Sequence, residues 1–95
     1  MIYIHSGQKF MWDAVAGAEV YDFDILDASG VTVLAAFHDL IVLEKAVEEA
    51  CAGLVAGTTY NARVRANDSF GNGAWSPNLT FQIVTLPAPA NLRVV

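Results

Sequence analysis

The sequence predicts an all-β fold, an antiparallel sandwich of about seven strands. Three observations carry this prediction. In several short segments apolar residues alternate with polar ones at the period of two that half-buried strands show. Clusters of Gly, Asn, Asp and Ser separate these segments, and such residues are favoured in turns. The length, 95 residues, is typical of one compact domain.

The first half of the chain contains three predicted strands. Phe10 and Trp12 lie two residues apart and define the first of them. A corner of small residues at 14–18 follows. The segment 21–25 then alternates large apolar residues with aspartates, which predicts a strand with one polar face. The apolar, β-branched segment 31–37 is the third predicted strand.

The stretch 39–53 has the pattern of a helix. Its apolar residues fall at helical spacing and its glutamates occupy the opposite face. Asp39 is suited to the N-cap and Gly53 to the C-terminal stop of such a helix. The apolar residues at this spacing are Leu40, Leu43, Val47, Ala50, Cys51 and Leu54.

The second half contains the clearest strand of the chain, at 60–66, where apolar residues alternate with Asn and Arg. The segment 67–73 is rich in Asn, Asp, Ser and Gly, which predicts a hairpin loop. Alternation at 79–83 predicts the last strand of the body.

The C-terminal residues have a different composition from the rest. Prolines make 86–90 a stiff, extended spacer, and 91–95 has the composition of one further short strand. We therefore divide the chain into a sandwich at 1–86 and an extended, Pro-rich tail with a strand-like end at 87–95.

The composition is more apolar than a free monomer needs. Hydrophobic residues make up 55% of the chain, charged residues 16%, and the mean hydropathy is +0.41. Ordinary soluble domains have about 45–50% apolar and about 25% charged residues. Because permanent interfaces resemble a core cut in half, part of this excess is expected to lie in contact with other protein subunits.

Charge and motifs exclude several classes of function. The net charge is −5 with five Lys and Arg in total, which argues against binding to nucleic acid or to an anionic membrane surface. The N-terminus lacks the pattern of a signal peptide, and no apolar run has the length of a membrane span. His5, His38 and Cys51 are not at metal-ligand spacing. With no catalytic motif, we expect no enzyme activity, no metal and no cofactor, and Cys51 to be a buried apolar residue.

Three segments, taken together, match the pattern of a known family. Residues 10–21 hold a tryptophan, a small-residue corner and a tyrosine; residues 54–66 hold a leucine, a glycine turn and a tyrosine; residues 71–76 read Gly-Asn-Gly-Ala-Trp-Ser. In this order and at these separations they resemble a fibronectin type III domain, an immunoglobulin-like β-sandwich. The residues that define the fold in this resemblance are Trp12, Tyr21, Leu54, Gly57 and Tyr60.

The resemblance implies several structural features. The hydroxyl of Tyr60 is expected to bond back to the backbone near Leu54, in the tyrosine corner of such domains. The family has a strand near the end of 39–53, so strand and helix both stay open there. Only Ile2–Ile4 is available for the family's first strand, which is therefore short or missing. The tail resembles the opening of a next domain, and we expect it either to be a linker or to pair with an uncovered sheet edge.

Four charged residues form a second candidate feature. Asp22 and Asp24 share one face of a predicted strand. Arg63 and Arg65 share one face of another, which the resemblance makes a neighbour. Cross-strand ion pairs and a charged binding face both fit this pattern. Phe70 and Trp75 flank the predicted hairpin loop; an aromatic tip for protein or carbohydrate is one interpretation, and packing of Trp75 on the sandwich is favoured.

We therefore expect a non-enzymatic structural or adhesion module in a larger assembly. The family resemblance implies a virion-associated protein, a capsid decoration or tail component of a tailed phage, that contacts itself or neighbouring subunits. The alternative is a carbohydrate- or protein-binding repeat of a secreted bacterial multidomain protein, in which case its location is extracellular. The candidate assembly or binding residues are Leu92, Val94, Val95, Phe70, Trp75, Arg63 and Arg65.

Overall fold

The computed structural model describes residues 1–85 and 89–95, and its fold is mostly β. Eight strands and one helical turn occur in these residues. They are β1 (Ile2–Ile4), β2 (Lys9–Met11), β3 (Val20–Leu26), β4 (Val33–Leu40), β5 (Glu44–Ala46), α1 (Val47–Ala50), β6 (Thr59–Asp68), β7 (Gly71–Asn72) and β8 (Leu79–Ile83).

The larger sheet has the strand order β1-β8-β6-β3-β4, and the short strand β7 forms a hairpin with β6. The pairs within it are antiparallel except for β1, which runs parallel to β8. The expected all-β fold agrees with the structure, but the larger sheet is mixed and not wholly antiparallel, and the seven-stranded sandwich is not confirmed. The first strand is short, as expected. Its parallel pairing with β8 depends on tertiary contacts, so local alternation could not reveal it.

The smaller sheet contains β2 and β5 alone. Register places Lys9 opposite Ala46 and Met11 opposite Glu44. β2 ends one residue before Trp12, but the indole still stacks on Phe23 of the larger sheet, at 5.6 Å between ring centroids and 16° between planes. The tryptophan thus joins the two sheets, as its bulk predicts.

Aromatic residues from both sheets form the centre of the core. Phe10 of β2 contacts Phe23 of β3 and Phe81 of β8, with ring centroids 5.1 and 5.3 Å apart. Such tilted and edge-on contacts are preferred by aromatic rings. The smaller sheet therefore covers the middle of the larger one. The remaining buried members of this cluster are Ile4, Ile25, Val47, Ala50, Cys51, Tyr60 and Ala62.

The stretch 39–53 is neither a long helix nor a plain strand. β4 continues to Leu40, β5 follows, and only Val47–Ala50 is helical. Asp39 does not cap a helix; it lies in β4 with a left-handed φ of 56°. Gly53 does follow the helical turn, with a φ of 80°. Pairing of β5 with β2 overrides the helical periodicity, because the residues 44–46 satisfy their backbone groups across the sheet.

Two tyrosines pin the chain where it leaves one sheet for the other. The Tyr60 hydroxyl accepts a hydrogen bond from the Val55 backbone N–H at 2.9 Å, which confirms the predicted corner. The Tyr21 hydroxyl accepts one from the Val15 N–H at the same distance. Each tyrosine therefore anchors the loop that precedes its own strand.

The predicted spacer at 86–90 lies partly outside the described residues. Residues 89–95, the part of the tail that the structure describes, form no strand in the single chain. Asn91 has a left-handed φ of 60°. A strand needs a hydrogen-bonded neighbour, so the predicted strand at 91–95 would require one that this chain does not provide in the part described.

Candidate functional site

The outer face of the larger sheet carries the predicted charged residues. Strand alternation turns Phe23 inward and both aspartates outward. Register then places Asp22 opposite Arg65 and Asp24 opposite Arg63. An Arg63 guanidinium nitrogen lies 2.9 Å from a carboxylate oxygen of Asp24, and Nε of Arg65 lies 3.0 Å from Asp22. The predicted cross-strand ion pairs are confirmed.

Trp75 covers both arginines. Its ring centroid lies 4.0 Å from the guanidinium carbon of Arg63 and 4.3 Å from that of Arg65. A guanidinium at this distance is attracted by the negative face of the ring. We call Trp75 with these arginines and their aspartates the Arg–Trp stack. The favoured interpretation of Trp75, packing on the sandwich, agrees with this geometry.

Hydrogen bonds hold the Asp22 carboxylate in its charged form. Burial by itself would raise the pKa of Asp22, but donors from Asn67, Arg65, the backbone of Asp39 and His38 outweigh it. The pKa of Asp22 therefore lies below its ordinary value of 3.8. His38 approaches the same carboxylate at 3.4 Å. The four charged side chains of the stack pair with one another, which stabilises the sheet, although Oδ1 of Asp24 is buried without a hydrogen-bond partner. A binding role for Arg63, Arg65 and Trp75 stays a prediction.

Phe70 lies apart from this stack, at the turn between β6 and β7. Its side chain is 97% exposed, and its N–H donates to the Asp68 carboxylate at 2.9 Å. With the corner Val15–Ala18 and the glycines of the hairpin, it lines a surface groove of about 350 Å³. A fully exposed ring at a hairpin tip is the arrangement that an aromatic contact residue would need.

The edge of β2 presents backbone groups without a neighbouring strand. The Trp12 N–H donates to the Leu43 carbonyl and the Val47 N–H to the Gln8 carbonyl, both at 3.0 Å. Because paired groups alternate along an antiparallel ladder, the N–H and C=O of Lys9 and Met11 point away from β5. Within residues 1–85 and 89–95 no strand covers that side.

An apolar groove of about 300 Å³ runs along this open edge. Its walls come from β2, from the larger sheet beneath and from the segment that leads into β8, with no contribution from β5. It therefore lies on the side of β2 that faces away from its partner strand. We call it the edge groove, and its main apolar lining is Phe10, Met11, Trp12, Phe23, Val64 and Leu79.

β4, one of the two edge strands of the larger sheet, differs from β2. Its pairing with β3 shifts register twice, and Asp39 interrupts it with a left-handed backbone. Such irregularities turn an edge away from further pairing. The exposed aliphatic residues along and just beyond this edge include Val33, Leu34, Ile41 and Val42.

The described part of the tail exposes its apolar side chains completely. Leu92 and Val94 are each 98% exposed, and Val95 is 107% exposed. Arg93 donates only to the Asn91 carbonyl, at 2.9 Å. The described part of the chain thus contains an uncovered strand edge with an apolar groove, and a segment whose apolar residues have nothing to cover them.

A cluster of side chains suited to a metal ion does not occur in the described residues. His, Cys, Asp and Glu side chains do not come together among them in any group of three or more that could hold a metal ion. Burial raises the pKa of the Cys51 thiol to about 11, so it is protonated near neutral pH. That agrees with its expected role as a buried apolar residue. No helix in the ranges 1–85 and 89–95 is long and apolar enough to cross a membrane.

Sequence reasoning missed the edge groove. Met11 and Leu79 line it, yet neither was singled out, because a groove depends on how the sheets lie over one another. One signal was available: Met11 breaks the apolar–polar alternation of its strand with an apolar residue on the outer face, where it is 73% exposed.

Comparison of the chain with protein-family models, with curated proteins and with solved structures found no match.

Proposed function

We propose that this protein is a non-enzymatic structural module of a larger assembly, and that its tail binds another protein subunit. The observation that carries the proposal is the complete exposure of Leu92, Val94 and Val95 in a segment without secondary structure. Burying an aliphatic side chain of this size contributes about 1.5–3 kcal/mol. Three of them in the last four residues favour a contact that covers them.

The composition supports the same proposal. A chain that is 55% hydrophobic and 16% charged exposes aliphatic residues elsewhere too, among them Val31, 78% exposed, and Ile41, 83% exposed. A subunit of a permanent assembly can hold such residues in its interfaces. Within this proposal the assembly is a virion, with the chain as a capsid decoration or tail component, and the sandwich is of the fibronectin type III kind; both follow from the resemblance in sequence.

The test is the solution mass of two versions, by light scattering. One is the full chain of 95 residues, and the other ends at Thr85. Circular dichroism and thermal unfolding establish that both are folded. We expect the full chain to form a multiple of its 10.2 kDa mass and the shortened chain to be a folded monomer. If both are monomers, the tail is a linker and the assembly proposal fails.

A second candidate function rests on Phe70. Its 97% exposure beside the groove of about 350 Å³ favours a tip that contacts a carbohydrate or protein, as in a repeat of a secreted protein. Binding to a panel of soluble polysaccharides, measured by calorimetry, tests the carbohydrate case. Binding that Phe70→Ala abolishes, in a monomeric protein, would establish this function in place of the first.

A further inference from the structure

We infer that the tail binds a second copy of this chain, by adding a strand to the open edge of β2 with Leu92 and Val94 in the edge groove. This inference rests on the proposed function, since it names the partner and the surface that the tail would bind. Four observations support it: free backbone groups, an apolar groove, complementary charge and the irregular geometry of the competing edge.

The first observation is that β2 has free backbone groups along its open edge. Lys9 and Met11 direct both their N–H and C=O groups away from β5, into the side of β2 that no described strand covers. The described part of the tail has no secondary structure of its own and no proline after Pro89, so every residue from Asn91 to Val95 can donate. An added strand would satisfy both sets of groups at once.

The second observation is the match between the groove and the tail's pattern. In an extended strand Leu92 and Val94 lie on one face, and Arg93 and Val95 lie on the other. The groove beside β2 is apolar and opens onto the core ring Phe23 and onto Leu79. Two aliphatic side chains from one face of the strand are the kind of occupant that such a surface accepts, while Arg93 stays in water.

Trp12 adds a polar feature to the same wall. Its Nε1–H is buried and has no acceptor among residues 1–85 and 89–95. A strand laid along β2 brings backbone carbonyls to this side of the sheet, next to the indole. An acceptor from the tail would then satisfy a donor that the single chain leaves without one.

Charge favours a second copy as the partner. Arg93 is the one charged side chain of the tail, and without it the chain has four Lys and Arg against ten Asp and Glu. The body of each copy is therefore strongly acidic, and Asp13 lies two residues beyond the end of β2. The cationic side chain of Arg93 is attracted to such a body.

The edge of β4 is the longest competing edge, and its geometry argues against it; the edges of β1 and β5 belong to strands of three residues each. It carries two register irregularities and the left-handed Asp39, whereas β2 pairs with β5 in unbroken register. Irregular edges resist strand addition. We therefore assign the tail to β2.

The first experiment compares two neighbouring substitutions in the full chain. Val94→Asp places a carboxylate on the groove-facing side of the strand, and Val95→Asp places one on the water-facing side. Both residues are fully exposed in the single chain, so neither change should affect folding. Light scattering over a range of concentrations should show that Val94→Asp weakens self-association by at least about tenfold, while Val95→Asp leaves it close to that of the unmodified chain.

The second experiment locates the acceptor. The full-length Val94→Asp protein, whose groove is free, is titrated with a peptide of residues 89–95 and observed by NMR. We expect the amide signals of Lys9, Met11 and Trp12 and the methyl signals of Leu79 to shift. The same peptide carrying Val94→Asp is the matched control and should shift none of them.

Other results would overturn the inference in distinguishable ways. Self-association that depends on the tail, with peptide shifts at β4 in place of β2, would reject this acceptor and leave the proposed function standing. A protein that is monomeric at every concentration, and whose tail still protects the amides of β2 from hydrogen exchange, would reject the second copy as the partner. In that case the tail would bind the body of its own chain. A chain that stays monomeric, with no peptide shifts, would remove both the inference and the proposed function.

Discussion

The outer face of the larger sheet and the open edge of β2 differ in how far their polar groups are satisfied. On the outer face, Asp22 and Asp24 are paired with arginines at 3.0 and 2.9 Å and Trp75 covers the pairs, so that among these charged groups only Oδ1 of Asp24 is buried without a partner. At the edge of β2, the backbone groups of Lys9 and Met11 and the indole N–H of Trp12 have no partner in the ranges 1–85 and 89–95.

The difference teaches where to look for a binding surface in this protein. Charged residues and a tryptophan are conspicuous in a sequence, yet here they form ion pairs and stack with one another, and so stabilise the sheet. The edge of β2 is inconspicuous in the sequence, but it leaves donors and acceptors free next to an apolar groove. Unsatisfied groups, more than conspicuous residue types, indicate where a partner can contribute energy.

The largest expected effect is the loss of an ion pair on the outer face of the larger sheet. Asp24→Ala leaves the guanidinium of Arg63, whose side chain is only 24% exposed, without its ion-pair partner, and should lower the free energy of unfolding by about 3 kcal/mol. Glu44→Ala is the matched control, because its pair with Lys9 is as short, 2.6 Å, but both side chains are about half exposed. It should cost less than about 1 kcal/mol in urea denaturation. Equal losses would show that the burial of the stack is unimportant.

A smaller loss of stability is expected from removing Trp75, the ring that covers the two arginines. Trp75→Ala removes the ring that contacts both guanidinium groups and should cost about 2 kcal/mol in the same measurement. Phe70→Ala is the control, because it removes a ring from the same hairpin region but one that is 97% exposed. It should change the free energy of unfolding by less than about 0.5 kcal/mol. A large loss from Phe70→Ala would contradict the distinction between a packed and a free aromatic residue.

The tyrosine corner should contribute less again. Tyr60→Phe deletes the hydroxyl that accepts the Val55 N–H and should lower the free energy of unfolding by about 1 kcal/mol. Tyr3→Phe, at a ring that is 58% exposed, is the control and should be nearly neutral. If the two substitutions cost the same, the hydrogen bond to Val55 does not hold the corner.

The smallest expected effect is the pH dependence of the free energy of unfolding, to which Asp22 on the outer face contributes. Because the folded pKa of Asp22 lies below 3.8, the carboxylate stabilises the fold above that value, and the contribution is lost as pH falls through the folded pKa. Urea denaturation from about pH 7 to about pH 3 should show this loss, and Asp22→Asn should reduce it. Some of it remains in that variant, since the pKa values of Asp27 and Glu48 are also lowered, by Ser29 and by the Gly7 N–H.

Local patterns in the sequence predicted several elements correctly. Period-two alternation located β3 and β6 and turned the aspartates and arginines to one face, because side chains alternate wherever a strand forms. The resemblance of residues 54–66 to a tyrosine corner predicted the hydrogen bond of Tyr60, whose partner Val55 lies only five residues earlier in the chain. These features depend on neighbours that lie close along the chain.

The candidate site was predicted only in part. The exposed apolar residues of the tail were identified from the sequence, whereas the edge groove that we assign as their acceptor was not. The groove combines residues from β2, β3, β6 and the approach to β8, which are far apart in sequence. Nothing in any one of these segments indicates that the four lie around one space.

The sequence by itself determined that this is a small β-rich domain with charged strand faces and an apolar tail, because alternation, turn residues and composition act locally; the tryptophan between the sheets and the tyrosine corner followed from the resemblance. Only the tertiary structure decided that 39–53 would divide into the end of β4, β5 and one helical turn, that β1 would run parallel to β8, and that β2 would keep an open edge. The physical reason is that strand pairing satisfies backbone groups between distant segments. Which segments pair is fixed by the packing of the whole chain.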